Sequence, residues 1–378
     1  MEVKLIESMT EIDSPVWNRL TGTDYPFLRH EFLLALEQSA SVCQQTGWQA
    51  QHMLIYDRDE LVALMPLYLK YHSQGEYVFD HRWAQAYRQQ NLAYYPKWLT
   101  SIPFTPCQGE RIVIQDGKNA AKITDLIVTH IQQISERQGI SSWHCLFPNP
   151  QQAQQLSLAG LSLRAGVQFQ WHNQNYRDFN DYLDNFTSSK RKQVKRERRR
   201  VAEQAIQFEQ IEGPLISSRQ WETFIQFYQM TYLKHGMPPY LNLAFFQQLA
   251  ETMPEQLLLI LAVKNNRYVG AALSLVGVDT LYGRYWGCFE EYNGLHFEAC
   301  YYQGLEYCID HGLKRFDSGA QGEHKIARGF KPVYTYSAHW IKEPFMAQAI
   351  DRFLKQEQES IEFYKRDAAS YLPFKQVT

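Results

Sequence analysis

The sequence has 378 residues, of which 45% are hydrophobic and 21% are charged, and its formal net charge is −2. A chain of this length is expected to form two domains of about 150 to 200 residues. The near-neutral charge argues against a protein that coats nucleic acid with its whole surface, because such proteins are basic overall. No secretion signal and no run of about 18 apolar residues is present, which predicts a cytoplasmic protein without membrane insertion.

The six cysteines are scattered along the chain, without a CxxC pair and without a histidine at the spacing of zinc ligands. This distribution predicts neither a disulfide framework nor a metal site. We expect reduced thiols and no tightly bound cofactor.

The first predicted domain, residues 1–172, alternates strand and helix patterns. A strand hairpin is predicted over 54–69. An amphipathic helix that begins at Ile123 is expected to end at Gly139, because glycine suits the position after a helix C-terminus. A strand follows this helix. The remaining predicted elements are a helix over 30–39 and a strand over 167–171.

The second predicted domain, residues 173–378, repeats this order. The hairpin pattern recurs over 261–276 at an offset of 207 residues, and Gly312 matches Gly139 at an offset of 173. The first half therefore carries about 34 additional residues, within 71–111, whose composition predicts a structured loop with short elements. Further helices are predicted over 178–205, 221–234, 243–253 and 346–369. The fold class predicted for each half is α/β (α+β), with a mixed central sheet flanked by helices.

The segment 190–200, KRKQVKRERRR, contains eight basic residues and one acid. It fits a helix whose cations neutralise phosphate groups, with binding strengthened by counterion release. The alternative is a solvated basic face without a ligand. The candidate phosphate-binding residues are Lys190, Arg191, Lys195 and Arg198.

The segment Gly319–Phe330, GAQGEHKIARGF, combines two acid/base groups, two cations and three glycines directly after a short apolar strand. Glycines let backbone amides approach a ligand closely, so this segment predicts a catalytic or anion-binding loop. An exposed loop with a helix cap is the alternative. The matching strand of the first half ends in LFPNPQQAQQ, which lacks such a cluster, so we expect the chemistry in the second half.

The strand, loop, helix and strand order, duplicated in tandem, resembles the GNAT acyltransferase fold in the two-domain form of FemA/FemB-like peptidyltransferases. Local strings are more similar still to the FemAB-like family of predicted N-acyltransferases, described as peptidoglycan biosynthesis or recognition proteins. The resemblance implies two tandem GNAT-like domains. The strings that carry it are HSQGEYVFD (72–80), YYPKWL (94–99), PFTPCQG (103–109), SSKRKQVKRER (188–198), LYGRYWG (281–287), LHFEACYYQ (295–303) and GAQGEHKIARGF (319–330).

The resemblance leaves two acyl donors open, acyl-CoA and aminoacyl-tRNA. GNAT enzymes usually hold the pyrophosphate of acyl-CoA on a glycine-rich loop at a helix N-terminus. The corresponding loop here, CFEEYNGLHFEA, has one glycine and three acids, which oppose phosphate binding. FemA/FemB-like enzymes use aminoacyl-tRNA instead, and a tRNA partner would suit the basic segment 190–200.

Acyl transfer to an amine needs a proton acceptor and a group that stabilises negative charge. For His296 and Glu298, a capping or core role is the alternative. The candidate proton acceptors are Glu323, His324, His296 and Glu298.

The resemblance also implies an electrostatic anchor at Lys325, because a lysine follows the glycine-containing strand end in FemA/FemB-like enzymes. Arg328 is a candidate for the same role. Arg284 lies within the LYGRYWG strand and either stabilises charge or forms a salt bridge with Glu290 or Glu291. Further candidate substrate-binding residues in this half are Tyr285, Trp286, Tyr301 and Gln321.

The additional segment 71–111 holds a second group of polar and aromatic candidates. These residues either line an acceptor pocket or fasten a long loop to the protein. They are His72, Glu76, Tyr77, Asp80, Tyr95 and Lys97.

These patterns predict a FemAB-like N-acyltransferase that transfers an acyl or aminoacyl group directly to the amine of a small molecule or peptide precursor, linked to peptidoglycan metabolism. One alternative is a non-catalytic protein that binds a cell-wall precursor or tRNA through a degenerate acyltransferase fold. The other is an acyl-CoA-dependent N-acetyltransferase of small molecules. Only an enzyme requires acid/base groups of the HFE and GEHK segments to converge on one cavity.

Overall fold

The structure is a computed structural model that describes residues 1–320 and 322–375. Its strands are β1 (Glu2–Ile6), β2 (Trp48–Ala50), β3 (His52–Asp57), β4 (Glu60–Met65), β5 (Tyr68–Lys70), β6 (Lys97–Thr100), β7 (Val113–Ile114), β8 (Ser142–Leu146), β9 (Ser162–His172), β10 (Ile206–Glu212), β11 (Leu257–Lys264), β12 (Arg267–Val276), β13 (Thr280–Cys288), β14 (Arg315–Asp317) and β15 (Lys331–Ile341).

The helices are α1 (Ser14–Thr21), α2 (His30–Gln38), α3 (His81–Gln89), α4 (Ala120–Gln138), α5 (Pro150–Leu158), α6 (Phe179–Asp184), α7 (Ser188–Glu203), α8 (Ser218–Lys234), α9 (Leu243–Thr252), α10 (Leu295–Phe297), α11 (Gln303–Asp310) and α12 (Pro344–Ser370). Across the described residues, no helix is both long enough and apolar enough to cross a membrane.

The chain forms two compact units, and each is assembled from separate segments. The first unit comprises residues 1–167 and 334–364, and the second comprises 168–333 together with the described residues from 365 onward. The division therefore runs through β9, β15 and α12. The C-terminal part of the chain thus contributes to both units.

The first unit contains a sheet of order β1-β3-β4-β7 and the strands β15-β8-β6-β5-β2. The predicted hairpin over 54–69 is confirmed, because β3 pairs antiparallel with β4 and places Leu54 opposite Leu64. Helix α4 packs its apolar face into the core through Ile123, Ile127 and Ile131, which are fully buried. The helix ends at Gly139, whose φ of 69° is the left-handed conformation that glycine adopts without strain.

The additional segment 71–111 supplies regular elements as well as loop. It contains α3 and β6, and β6 pairs antiparallel with β5 and parallel with β8. In the second unit, β13 pairs in the same way with β12 and β14. Strand β6 is therefore the first unit's counterpart of β13, the strand that contains LYGRYWG. The internal repeat in the sequence does not reveal this correspondence, because the two strands share no local pattern.

The second unit contains the strand order β10-β11-β12-β13-β14-β9. The predicted hairpin over 261–276 is confirmed by β11 and β12. The two strands join at Asn265 and Asn266, whose φ values of 51° and 57° give the left-handed turn that favours asparagine. Helix α8 packs on β12 and β13.

The single helix predicted over 178–205 is wrong, because the structure divides it into α6 and α7. Residues 185–187 between them leave the helical path and exchange backbone hydrogen bonds with the chain near its C-terminus: Thr187 N donates to Pro373 O, and Lys375 N donates to Asn185 O. Phe186 is fully buried, and its ring lies 5.3 Å from that of Phe374. Burial of this aromatic pair, together with the new hydrogen bonds, replaces the helical hydrogen bonds.

Candidate active site

The candidate site lies where β13 and β14 separate. The two strands pair in parallel over only three residues each, Thr280–Tyr282 with Arg315–Asp317. Strand β13 then continues to Cys288, whereas the chain after β14 turns away at Gly319, which has a φ of 79°. The separation leaves a cavity of about 530 Å³, lined by both strands' ends, by the residues after α10 and by the GEHK segment.

Arg284 reaches this cavity because β13 carries a bulge. Leu273 of β12 lies opposite Tyr285, but the next residue, Ser274, lies opposite Gly283, so Arg284 is the extra residue. A bulge redirects the side chain of the inserted residue. Of the acids considered as its partners, Glu290 accepts a hydrogen bond from Tyr292. Glu291 lies 3.9 Å from Lys234, and neither acid lines the cavity.

The GEHK segment forms a short 3-10 helix, Glu323–Arg328, between two glycines in left-handed conformations, Gly322 and Gly329. Lys325 lies on this turn and is 2% exposed. Its Nζ donates hydrogen bonds to the carbonyl oxygens of Ser318 at 3.0 Å and Gly319 at 2.8 Å. These bonds hold the ammonium group at the wall of the cavity, which Lys325 lines.

Three histidines line this cavity, His235, His296 and His324, and the last two lie beside each other. His324 Nε2 lies 2.8 Å from the hydroxyl of Tyr301, and its ring centroid lies 5.9 Å from that of His296. Burial lowers the pKa of His296 to about 4, with further contributions from His324 and Arg328. His324 is exposed, and partial desolvation and the charge of Arg328 lower its pKa. Both imidazoles are therefore neutral near pH 7 and can accept a proton.

A single π-helical turn, Glu298–Tyr302, connects α10 with α11 and carries two lining residues, Cys300 and Tyr301. Such turns are rare and often occur at functional sites. Burial raises the pKa of Cys300, so this group is a thiol and not a thiolate nucleophile. The repeated element order predicts only a helix that ends at Gly312, because a one-residue insertion in a helix leaves little trace in the apolar pattern.

The cavity is positively charged. Arg284 and Lys325 line it, and none of its described lining residues is an aspartate or glutamate. Such a lining favours an anionic ligand, or negative charge that develops during a reaction.

The structure places Glu298 outside this cavity. Its side chain is buried, accepts hydrogen bonds from Arg198 at 2.8 to 3.1 Å and accepts another from Gln303 at 2.9 Å. Arg198 also binds Glu306 at 2.7 Å. Arg198, Glu298 and Glu306 thus form a partly buried ion cluster, in which the guanidinium group of Arg198 is already paired with two carboxylates.

Glu323 and Arg328 also lie outside the cavity lining. Arg328 is buried, donates to the carbonyl oxygen of His324 at 2.6 Å and pairs with Glu197 at 2.7 Å. Its guanidinium carbon lies 3.5 Å from the centroid of the Phe297 ring. These contacts make Arg328 a positioning residue for the turn that carries His324. Glu323 is exposed.

The other residues predicted in the second half fall into three groups. Tyr285, Trp286 and Tyr301 line the cavity with Arg284. Gln321 lies outside the described residues. The remaining phosphate candidates lie on α7: Lys195 is exposed, Lys190 is half-buried, and Arg191 pairs with Asp184 at 2.7 Å.

In the first unit, the candidates of segment 71–111 gather around a buried lysine. Lys97 is fully buried, and its Nζ donates to Glu76 at 2.8 Å, to Asp80 at 2.5 Å and to Ser73 at 2.9 Å. Tyr95 contributes its hydroxyl, 2.7 Å from that of Ser73.

The two other candidates of this segment are half-buried. His72 accepts a hydrogen bond from the Gln74 amide, and Tyr77 has a left-handed φ of 60°. The buried ion cluster around Lys97 fastens the segment within the first unit, which agrees with the second of the two interpretations of these residues.

Sequence reasoning did not identify several lining residues, among them Ser274, Ser318 and His235. Each is a common residue type in an unremarkable local pattern. Only the strand register and the course of the loops bring them to the cavity.

Comparison with known proteins agrees with this architecture. The model of the FemAB-like family, described as peptidoglycan biosynthesis/recognition, matches residues 8–376. The crystal structure of FemX is 12% identical, with a TM-score of 0.54 over 93% of this chain and 100% of that chain. The structure of L-PGS from Bacillus licheniformis is 11% identical, with a TM-score of 0.50 over 88% of this chain and 97% of that chain.

A search of curated proteins gives no match. The structural similarities bear on the fold, and they confirm the tandem GNAT-like architecture that the sequence predicts. Because the family model covers nearly the whole sequence, the chain belongs to the FemAB-like family of peptidoglycan biosynthesis/recognition proteins.

Proposed function

We propose that the protein is an N-acyltransferase that moves an acyl or aminoacyl group onto a substrate amine. One observation carries this proposal: two neutral histidines and two cations, His296, His324, Arg284 and Lys325, line one cavity at the separation of β13 and β14. An enzyme requires acid/base groups that converge on one cavity, whereas a protein that only binds a ligand does not require them. Membership of the FemAB-like family supports the same reaction class.

In the proposed reaction, the amine nitrogen attacks the carbonyl carbon of the donor and forms the new N–C bond. The carbonyl oxygen becomes an oxyanion, which Arg284 and Lys325 stabilise. The bond from carbon to the leaving oxygen or sulfur then breaks, and the leaving group takes up one proton. This proton is the one that the attacking nitrogen loses as the amide forms, and His324 or His296 accepts it from the nitrogen and passes it to the leaving group. The nearby cations also favour the neutral, nucleophilic form of the amine.

The donor that we propose is an aminoacyl-tRNA. The loop between β13 and α10 exposes Glu290 and Glu291, which oppose the pyrophosphate of acyl-CoA. Helix α7 exposes Lys192, Lys195 and Arg196, which suit a polyanion. The acceptor that we propose is the amine of a peptide precursor of the cell wall, as the family description suggests.

The test compares donors and variants in one transfer assay. The purified chain is incubated with a mixture of charged tRNAs, or with acetyl-CoA, and with cell-wall precursor peptides, and new amides are detected by mass spectrometry. We expect transfer from charged tRNA, and we expect the double variant His296→Gln/His324→Gln to lose at least about a hundredfold in rate. The matched control is His81→Gln, which alters an exposed histidine of the first unit.

Unchanged turnover in the double variant would refute the assignment of these histidines. Transfer from acetyl-CoA alone would refute the proposed donor. Binding of precursor without transfer from any donor would favour the binding protein over the enzyme.

A further inference from the structure

A side arm adjoins the cavity of the candidate site. This second cavity has a volume of about 160 Å³ and shares four lining residues with the first, His235, Arg284, Tyr285 and Trp286. The four shared residues place the two cavities side by side, and Arg284 borders both of them. The proposed function makes no use of this space.

The walls of the arm are mainly aromatic. The ring of Tyr228 lies 5.0 Å from that of Tyr232 and 5.5 Å from that of Tyr285, measured between centroids. The hydroxyl of Thr231 donates to the Trp286 carbonyl oxygen at 2.7 Å, and the Tyr228 hydroxyl accepts from the Leu241 amide at 3.3 Å. These two hydroxyl groups are engaged with backbone, and the aromatic rings supply much of the apolar surface that a ligand can contact.

The mouth of the arm carries a positive charge. Arg284 lines both cavities, and none of the described residues that line either one is an aspartate or glutamate. A ligand that places a carbonyl or carboxylate beside Arg284 therefore has complementary charge there, whereas a group with an ammonium at the same position is repelled.

We propose that the arm receives the compact apolar or aromatic side chain of the transferred acyl group, with the carbonyl end held at Arg284. This inference rests on the proposed function and names the substrate class for it: acyl groups that carry a side chain of isobutyl to benzyl size. The volume admits at least about five water-sized groups, since each water occupies about 30 Å³.

Free carboxylates test the arm without any transfer reaction. Isothermal titration calorimetry would compare acetate, butyrate, 4-methylpentanoate and phenylacetate, with phenethylamine as a cation of similar shape. We expect affinity to rise about fourfold for each buried methylene until the arm is full. We also expect the amine to bind at least tenfold more weakly than phenylacetate. Equal affinities across the acids, or equal affinity for the amine, would overturn the proposal.

A substitution that fills the arm provides a second test, with a matched control variant. Met237 lies at the exposed rim of the arm, so Met237→Trp should block it. The control is Leu233→Trp, which alters an exposed residue near the end of α8 that lines neither cavity. We expect Met237→Trp to weaken phenylacetate binding at least tenfold and to leave acetate binding within twofold, which also shows that the variant is folded. Identical phenylacetate binding by the two variants would refute the proposal that the arm binds the side chain.

The two proposals fail in different ways. If the carboxylates bind as expected but no donor supports transfer, the arm is supported as a binding site and the proposed function is refuted. If transfer occurs at rates that depend neither on the side chain of the acyl group nor on Met237→Trp, the proposed function is supported, and the proposal that the arm receives this side chain is refuted.

Discussion

The hydroxyl of Tyr301 and the Nε2 atom of His324 lie 2.8 Å apart at the wall of the cavity. Tyr301 comes from the π-helical turn, and His324 comes from the 3-10 turn after β14. The bond joins two segments with irregular backbone and fixes which imidazole nitrogen remains for a substrate proton.

Replacement of His324 by glutamine should lower kcat by about a hundredfold, because a general base contributes on this scale. Tyr301→Phe should lower kcat by about tenfold, since His324 remains but loses its partner. Steady-state kinetics with the transferred group identified in the assay above would measure both. A Tyr301→Phe variant that changes KM alone would show that the hydroxyl binds substrate instead of orienting His324.

The transfer rate should have an acid limb below pH 6.5. The pKa of His296 lies at about 4, mainly because of burial, and the pKa of the more exposed His324 is lowered by partial desolvation and by the charge of Arg328. A lowered pKa keeps each imidazole neutral at neutral pH, and proton-accepting capacity is lost only as pH falls through the lowered value. The kcat/KM profile from pH 4 to 8 measures this limb. A midpoint at or above pH 6.5 would contradict it, and the limb should change in His324→Gln.

Gly322→Ala should impair activity more than stability. A Cβ at Gly322 would lie 2.6 Å from Cε1 of His324, so the imidazole must move. The control is Gly139→Ala, because Gly139 also has a positive φ, of 69°, but no heavy atom lies within 4 Å of an added Cβ. Both should cost about 1 to 2 kcal/mol in unfolding free energy. We expect only Gly322→Ala to reduce the rate, by at least tenfold, and equal rates would contradict this role.

Arg198→Met should destabilise the protein by about 3 kcal/mol, because it leaves the buried carboxylate of Glu298 without its ion partner. The control is Arg199→Met, whose exposed side chain forms only a 3.5 Å pair with Glu203, and which should change stability by about 0.5 kcal/mol or less. Urea denaturation measures both. If the two changes were equal, the ion cluster would not contribute to stability as the geometry suggests.

Removal of exposed cations from α7 should weaken tRNA binding without affecting stability. Each of Lys192→Met, Lys195→Met and Arg196→Met should reduce the salt dependence, the slope of log K against log salt, by about one. Filter binding at several salt concentrations measures the slope. The matched control is Lys355→Met, an exposed lysine of α12. An unchanged slope in the triple variant would place the tRNA, or any phosphate ligand, elsewhere.

Much of the fold follows from local patterns in the sequence. The hairpins, α2, α4, α8, α9 and the left-handed Gly139 are all predicted, because apolar periodicity and glycine preference act over a few residues. The break between α6 and α7 was missed. Its cause, the burial of Phe186 against Phe374, joins residues almost two hundred positions apart.

The candidate site was predicted by residue type but not by orientation. His296 and Glu298 are two residues apart, yet His296 lines the cavity and Glu298 is held by Arg198. Similarly, Lys325 lines the cavity, whereas Arg328, three residues later, binds Glu197. Spacing along the chain cannot distinguish these outcomes, because a π-helical turn and a 3-10 turn change which side each residue faces.

The sequence by itself determined the repeated order of hairpin, helix and strand, and the concentration of reactive residues in GAQGEHKIARGF. These depend on composition and short-range periodicity. Only the tertiary structure decided which charges meet the cavity and which are neutralised inside the protein. Which charges line the cavity depends on the bulge at Arg284 and on ion pairs between segments that are distant in the sequence. Both exist only in the folded arrangement of the strands and loops.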